Sequence, residues 1–168
     1  MRAQPGGTAP VISVVGNSGV GKTTFLEKLV AELKSRGYRV ACIKHDVHNF
    51  EIDHAGKDTW RLARAGSDIV MISSSAKMAL IERVDEERAL AELTAMVGDR
   101  VDIVLTEGYS GAYTPKIAVS RRVAGSELTS RTDQLLAIVT DEPFPLSVPQ
   151  FGLKRPRGPL PQAGGGRC

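Results

Sequence analysis

The clearest chemical signature in this chain is a glycine-rich segment near its beginning. It matches the pattern G-x-x-x-x-G-K-[ST] of a phosphate-binding loop. The glycines permit close backbone approaches, so that successive N–H groups can cradle phosphate oxygens. Lys22 would supply a cation to the outer phosphates, and Thr23 would offer a hydroxyl to Mg²⁺. A turn that merely caps a helix would leave the Lys-Thr pair unexplained. The predicted phosphate-binding residues are Gly16, Asn17, Ser18, Gly19, Val20, Gly21, Lys22, Thr23 and Thr24.

An acidic residue at the end of a neighbouring strand usually accompanies such a loop. The run 101–107 (VDIVLTE) contains two candidates, Asp102 and Glu107. Five residues of extended chain place them roughly 16 Å apart, at opposite edges of a sheet. Because ligands bind at the carboxyl ends of parallel strands, the pattern favours Glu107 as the acid near the metal. A carboxylate in a surface loop is the alternative.

A polar segment, 44–58, follows the second predicted strand and should overhang the nucleotide. Asp46 and Asp53 could hold Mg²⁺ directly or through water, and the two lysines could contact phosphates. Asp58 could equally cap a helix. Three histidines suggest zinc, but their spacing matches no common structural site and no cysteine joins them. The possible loop contacts are Lys44, His45, Asp46, His48, Lys57 and Asp58.

Strands and helices alternate between the ends of the chain. The patterns predict strands at 11–15, 39–44, 69–73, 77–84, 101–106, 116–120 and 135–140, and helices at 22–36, 58–65 and 85–97. Such alternation predicts an α/β fold with a largely parallel sheet and helices on both of its faces. Together with the phosphate-binding loop, the predicted class is a P-loop NTPase fold. The stretch 75–84 could add antiparallel pairing.

Composition limits the classes of partner. The chain has 168 residues, which suits one domain, predicted at 11–151. Residues 1–10 are predicted as a flexible leader, and 152–168 as a disordered, basic Gly/Pro tail. The net charge of +3 is concentrated in these ends, and only 5% of residues are aromatic, so we expect no nucleic acid partner. Without a long apolar run we expect no membrane span, and two cysteines fit the cytoplasm.

These residues resemble the molybdopterin-guanine dinucleotide biosynthesis protein B (MobB) family over about 11–151. The resemblance rests on the phosphate-binding loop and on a more specific set of residues elsewhere in the chain. That set comprises Lys44-His45, His48, Asp53, Gly56-Lys57-Asp58, Ala65-Gly66 and Glu107-Gly108-Tyr109. It implies a GTP-binding protein with weak, Mg²⁺-dependent GTPase activity. Such a protein assists attachment of GMP to molybdopterin with the nucleotidyltransferase MobA, is usually a homodimer, and extends its sheet with a β-ribbon.

The expected roles follow from the loop and this resemblance together. The loop amides and Lys22 would hold phosphates, while Thr23, Glu107 and Asp53 would order Mg²⁺. The candidate catalytic residues are Lys22, Glu107 and Asp53. The family usually has Pro where this chain has Ala55, and the N/T-K-x-D signature of guanine recognition follows no late strand. Guanine specificity therefore rests on the resemblance, and turnover without an arginine finger should be slow.

Two other functions are compatible with the same residues. In a small-molecule kinase, 44–58 and the Arg121-Arg122 pair would hold the acceptor. In a non-catalytic adaptor or metal-delivery GTPase, His45, His48 and His54 would bind the metal. A homodimer is predicted through exposed strand edges near 75–84 or 116–120, whose single lysines, Lys77 and Lys116, block little.

Overall fold

Short runs of aliphatic and β-branched residues form eight strands in the computed structural model, which describes residues 9–46, 50–122 and 131–153. The strands are β1 (Val11–Val15), β2 (Val40–Lys44), β3 (Ile69–Ser73), β4 (Met78–Glu82), β5 (Ile103–Glu107), β6 (Lys116–Ser120), β7 (Leu135–Thr140) and β8 (Gln150–Gly152). Six of them form one parallel sheet in the order β2-β5-β1-β6-β7-β8. Strand β1 therefore lies between β5 and β6, and the loop that follows it leaves from the middle of the sheet.

The helices are α1 (Lys22–Ser35), α2 (Asp58–Arg64) and α3 (Leu90–Val97), with short 3₁₀ turns at 98–100 and 132–134. Helix α1 places Phe25, Leu26 and Leu29 on one side, as expected for apolar residues three and four apart. That side packs on β1, β2 and β5. No helix in the described ranges is long and apolar enough to cross a lipid bilayer.

The sheet has a buried apolar cluster on each face, because successive side chains of a strand point to opposite sides. Val14 and Val119 join the cluster under α1, whereas their neighbours Val15 and Ala118 belong to the second cluster. The connection between β7 and β8 covers this second cluster with Phe144, Leu146 and Val148. The predicted α/β fold with a largely parallel sheet is confirmed.

Strands β3 and β4 form a separate antiparallel pair, which we call the ribbon (residues 69–82). This confirms the added antiparallel pairing predicted for 75–84. The ribbon contacts α2. Ile69, Met71, Met78 and Leu80 lie on one face of it and are all exposed.

The predicted edge at 116–120 is wrong. Strand β6 pairs with β1 on one side and β7 on the other, so it has no free edge. Lys116 is completely buried, and its Nζ donates to the carbonyls of Ala112 and Thr114 and to Oε1 of Gln134 at 2.5, 3.1 and 2.5 Å. Burial lowers the pKa of this ammonium from its ordinary value.

Helix α3 begins at Leu90, five residues later than the acids at 85–87 predicted. Glu87, one of those acids, and the next residue, Arg88, contact other segments instead. His45 Nε2 lies 2.8 Å from Glu87 Oε1, and Arg88 forms an ion pair with Glu82 at 2.7 Å. The helix instead starts where Glu92 Oε2 accepts the N–H of Ala89, at 2.8 Å.

The described part of the sheet extends slightly beyond both predicted domain boundaries. Before β1, Ala9 is buried and the carbonyl of Pro10 accepts the N–H of Val104 at 2.9 Å. Strand β8 pairs with β7 through Gly152, and Leu153 packs on the cluster under α1. The rest of the predicted leader and tail, 1–8 and 154–168, lies outside the described residues.

Candidate nucleotide-binding site

The loop between β1 and α1 requires glycine at its first position. The backbone of Gly16 has φ +145°, and a Cβ there would lie 2.1 Å from the carbonyl oxygen of Val119 on β6. At the other end, Gly21 adopts a left-handed φ of +99° and its carbonyl accepts the N–H of Phe25 at 2.9 Å. This turn begins α1, so the unpaired N–H groups of its first turn face the loop.

Lys22 is the first residue of α1, and its side chain reaches back across the loop between β1 and α1. Its Nζ donates to the carbonyl of Asn17 at 2.9 Å. No carboxylate pairs with this ammonium in the part of the chain that the structure describes. A cation held by one neutral carbonyl can transfer to phosphate oxygens, which bind ammonium groups more strongly.

Thr23 and Glu107 meet at the carboxyl edge of the sheet. The Thr23 hydroxyl donates to Glu107 at 2.8 Å to Oε2 and 3.1 Å to Oε1. The contact arises because β5 runs parallel to β1, with Glu107 beside Val14, so that both chains end at the same edge. A hydroxyl and a carboxylate together form an oxygen donor pair suited to Mg²⁺.

The other acid of this segment lies at the opposite edge. Asp102 accepts the backbone N–H of Arg39 at 2.7 Å and a guanidinium N–H of Arg39 at 2.9 Å. The hydrogen bond to this carboxylate raises the pKa of Arg39 above its ordinary value. Asp102 thus joins the start of β2 to the segment that enters β5, away from the phosphate-binding loop.

A second polar cluster, made of His45, Glu87 and Tyr109, adjoins Glu107. His45 follows β2 and its ring centroid lies 4.8 Å from that of Tyr109, while its Nε2 is 2.8 Å from Glu87 Oε1. Gly108 and Tyr109 both have positive φ, +96° and +55°, and a Cβ on Gly108 would lie 3.1 Å from the His45 Cβ. Burial and the nearby Glu87 charge raise the pKa of the Tyr109 hydroxyl.

The polar segment after β2 is only partly brought to this edge. Lys44 Nζ lies 4.0 Å from Asp46 Oδ2. Lys44 ends β2 directly beside Glu107, and Asp46 follows two residues later. Within the described ranges, no hydrogen bond or ion pair joins Asp53, Lys57 or Asp58 to the phosphate-binding loop. Lys57 is the N-cap of α2, not Asp58, and His48 lies outside the described residues.

Asp53 has an unusual environment for a carboxylate. Its Oδ1 accepts the N–H of His54 at 2.8 Å, whereas Oδ2 is buried and has no hydrogen-bond partner among the described residues. A buried carboxylate oxygen without a donor is costly, and a water or cation would offset that cost. No group of three His, Cys, Asp or Glu side chains that could hold a metal ion occurs in the described part of the chain.

The sequence did not predict Glu87 or Arg121 as residues of the nucleotide site. Glu87 carries no local signal, because its contact with His45 joins segments 42 positions apart in sequence. Arg121 was predicted only together with Arg122, as holding the acceptor of a kinase, but its Nε donates to the carbonyl of Val20 inside the loop at 2.9 Å. Its position directly after β6, beside β1, is the signal that could have found it.

Residues 11–141 match the protein family described as "Molybdopterin guanine dinucleotide synthesis protein B". The chain is 38% identical over 137 residues to the molybdopterin-guanine dinucleotide biosynthesis adapter protein of Haemophilus influenzae, covering 80% of this chain and 76% of that protein. It is 34% identical over 144 residues to the protein of the same name from Escherichia coli, covering 83% and 82%.

Solved structures show the same fold. The crystal structure of Bacillus subtilis MobB superposes with a TM-score of 0.71 at 26% identity, covering 85% of this chain and 89% of that one. A crystal structure of molybdopterin-guanine biosynthesis protein B superposes with a TM-score of 0.66 at 31% identity, covering 84% and 89%.

Proposed function

This chain belongs to the MobB family and to the biosynthesis of molybdopterin-guanine dinucleotide, and from that premise we propose that it binds GTP with Mg²⁺. We further propose that it hydrolyses GTP slowly while assisting the nucleotidyltransferase MobA in attaching GMP to molybdopterin. The observation that carries the proposal is the Thr23–Glu107 hydrogen bond of 2.8 Å beside the phosphate-binding loop.

The residues at this edge suit a magnesium nucleotide. Magnesium prefers few protein oxygens and keeps water and phosphate oxygens as its other ligands. The Thr23 hydroxyl and the Glu107 carboxylate provide such oxygens, and the close approach of Gly16 to the Val119 carbonyl keeps the loop packed against β6 beside them. When bound, the metal would neutralise charge on the outer phosphates. Thr23 would bind it directly, and Glu107 directly or through water.

The chain's own groups account for binding and for slow turnover. Lys22 would leave the carbonyl of Asn17 for the phosphates, and the N–H groups at the start of α1 would bind the same oxygens. Asp53, whose buried Oδ2 has no hydrogen-bond partner among the described residues, would order a water of the metal. Without an arginine supplied by a partner, we expect turnover on the order of 10⁻⁴ to 10⁻² s⁻¹.

We also propose that two copies of the chain form a homodimer through the ribbon. A two-stranded antiparallel pair is marginal by itself in water. In this ribbon both outer strand edges are unpaired among the described residues, and Met71 and Leu80 face each other across the strands while exposed. A second copy related by a two-fold axis would offer the same edge and the same apolar face in return. Pairing the two ribbons would bury both.

The experiment that tests GTP binding is a calorimetric titration of the full chain with GTP and ATP, with Mg²⁺ and with EDTA. We expect GTP to bind in the presence of Mg²⁺ and ATP to bind at least tenfold more weakly. Glu107→Gln should abolish the Mg²⁺ dependence, because a neutral amide replaces the charged oxygen ligand. Asp102→Asn is the matched control, since that acid lies at the other end of the same segment.

Two results would overturn this proposal. One is the absence of nucleoside triphosphate binding under any of these conditions. The other is loss of Mg²⁺ dependence in Asp102→Asn but not in Glu107→Gln. The proposed assistance to MobA is measured as the rate of GMP transfer to molybdopterin by MobA, with and without this protein. We expect a higher rate when the protein is present.

A nucleotide-dependent adapter without useful hydrolysis is the second candidate. The curated relatives are named adapter proteins, which favours it. In that function GTP and a non-hydrolysable GTP analogue would stimulate MobA equally. Under the first proposal, the analogue would stimulate only a single round of transfer.

A further inference from the structure

Two adjacent arginines at the end of β6 have different surroundings. The Nη1 of Arg122 pairs with Glu142 Oε1 at 2.6 Å, and its side chain is 74% exposed. Arg121 instead lies against the phosphate-binding loop. Its Nε donates to the carbonyl of Val20 at 2.9 Å, and its Nη2 is 3.5 Å from the place where a Cβ on Gly21 would lie.

The guanidinium of Arg121 keeps most of its hydrogen-bonding capacity unused. Of its five N–H donors, only Nε–H has a partner among the described residues. None of the ion pairs formed by described residues includes Arg121, although its side chain is partly buried. A guanidinium stays charged at any physiological pH, so four charged donors remain without an acceptor in the described part of the chain.

The surroundings of this cation are themselves positive. The start of α1 carries the positive end of the helix dipole, and Lys22 contributes a full charge within the same loop. Gathering a third positive group there costs free energy unless an anion binds between them.

The strand order decides which side of the bound anion Arg121 can reach. Because β1 lies between β5 and β6, Glu107 flanks the loop on one side and Arg121 flanks it on the other. The metal and the outer phosphate oxygens belong on the Glu107 side. The phosphate oxygens turned away from the metal are then left for Arg121.

We propose that Arg121 is a phosphate-binding residue of this site, contacting the diphosphate portion of the nucleotide from the β6 side. The inference rests on the proposed nucleotide binding and deepens it. Its hydrogen bond to Val20 holds the planar fork in place, so that little side-chain freedom is lost when the phosphates bind. Since the diphosphate is common to GDP and GTP, Arg121 serves both and does not distinguish the nucleotide state.

The test compares Arg121→Gln and Arg121→Lys with Arg122→Ala as the matched control. Dissociation constants for GTP, GDP and inorganic pyrophosphate are measured in Mg²⁺ by calorimetry, with thermal unfolding as the check on folding. We expect Arg121→Gln to weaken all three ligands about 10- to 100-fold, which is typical of losing a charged hydrogen bond. Arg121→Lys should recover part of the loss because it keeps the charge, and Arg122→Ala should change each constant less than twofold.

The outcomes separate this inference from the proposed function. If Arg121→Gln binds all three ligands like the wild-type chain while Lys22→Ala binds none, the inference is wrong and the GTP site stands. If Arg121→Gln weakens GTP and GDP but not pyrophosphate, Arg121 contacts the nucleoside and the inference is wrong in that way. If the wild-type chain binds no nucleotide, the proposed function fails and the inference fails with it.

Discussion

The six-stranded sheet and the ribbon contain similar apolar residues, but the sheet buries them and the ribbon leaves them exposed. In the sheet, Val14, Leu105 and Ile138 are at most 1% exposed. In the ribbon, Met71 and Leu80 are 57% and 42% exposed. The two regions differ in their neighbours, because every interior strand of the sheet has a partner on both edges, whereas the ribbon consists of two strands.

The proposed nucleotide binding and the proposed self-association therefore use separate parts of the chain. In the sheet, the buried ammonium of Lys116 is hydrogen-bonded to acceptors of the same chain, and the candidate site lies in the loops at one edge. The ribbon leaves apolar surface that another copy can cover. Changes to the sheet edge should therefore alter nucleotide binding or stability, and changes to the ribbon should alter the oligomeric state alone.

The largest effect should come from Gly16→Ala. The added Cβ would lie 2.1 Å from the Val119 carbonyl oxygen, on a residue whose φ of +145° an alanine rarely adopts. We expect the free energy of unfolding to fall by about 2–5 kcal/mol, together with loss of GTP binding. Urea unfolding measures the first. Gly111→Ala is the control, since nothing lies within 4 Å of its added Cβ. Equal stability of the two variants would contradict the prediction.

Lys22→Ala should abolish binding without unfolding the sheet. Among the described residues, the ammonium donates only to the Asn17 carbonyl, and Lys22 belongs to neither buried apolar cluster. We expect GTP affinity to fall at least about 100-fold, or about 2.8 kcal/mol, while the free energy of unfolding changes by about 0.5 kcal/mol or less. Lys28→Ala, an exposed lysine of the same helix, should change neither. Retained GTP binding in Lys22→Ala would exclude this loop as the nucleotide site.

The double variant Met71→Gln with Leu80→Gln tests the ribbon. These residues are opposite each other on its exposed apolar face. We expect the dissociation constant of the homodimer to rise at least about 100-fold, since fully burying each of the two side chains contributes about 1.5–3 kcal/mol. Sedimentation analysis measures this, and GTP affinity should not change. Leu136→Gln, a 48% exposed leucine on β7, is the control. A double variant that stays as dimeric as the wild-type chain would place the interface elsewhere.

The smallest expected effect concerns Lys77 and Lys116, the two lysines at the predicted strand edges. Burial lowers the pKa of Lys116 in the folded chain below its ordinary value of 10.5. Between those two pKa values the unfolded chain binds more protons, so the contribution of Lys116 to stability rises with pH in that window. Lys116→Met should lack this rise and lose about 1–3 kcal/mol at neutral pH, because three acceptors lose their donor. The exposed Lys77→Met should show neither change in urea unfolding at pH 7 to 10.

Local sequence determined the match of residues 16–24 to a phosphate-binding pattern, most strand positions and the family. The glycines and the Lys-Thr pair act within nine consecutive residues, and the direction of strand β5 alone separated Glu107 from Asp102. Those features depend on covalent spacing and on the periodicity of side chains along a strand. They do not depend on which strands become neighbours.

Only the tertiary structure decided the contacts between distant segments. Placing β6 between β1 and β7 buried Lys116 and brought Arg121 onto the loop, across 101 positions of sequence. The same packing drew Glu87 to His45 and delayed the start of α3. No local pattern encodes such pairings, because the sequence pattern of a strand with two apolar faces is the same at the edge and in the middle of a sheet. The order of strands is settled by the free energy of the whole packed sheet.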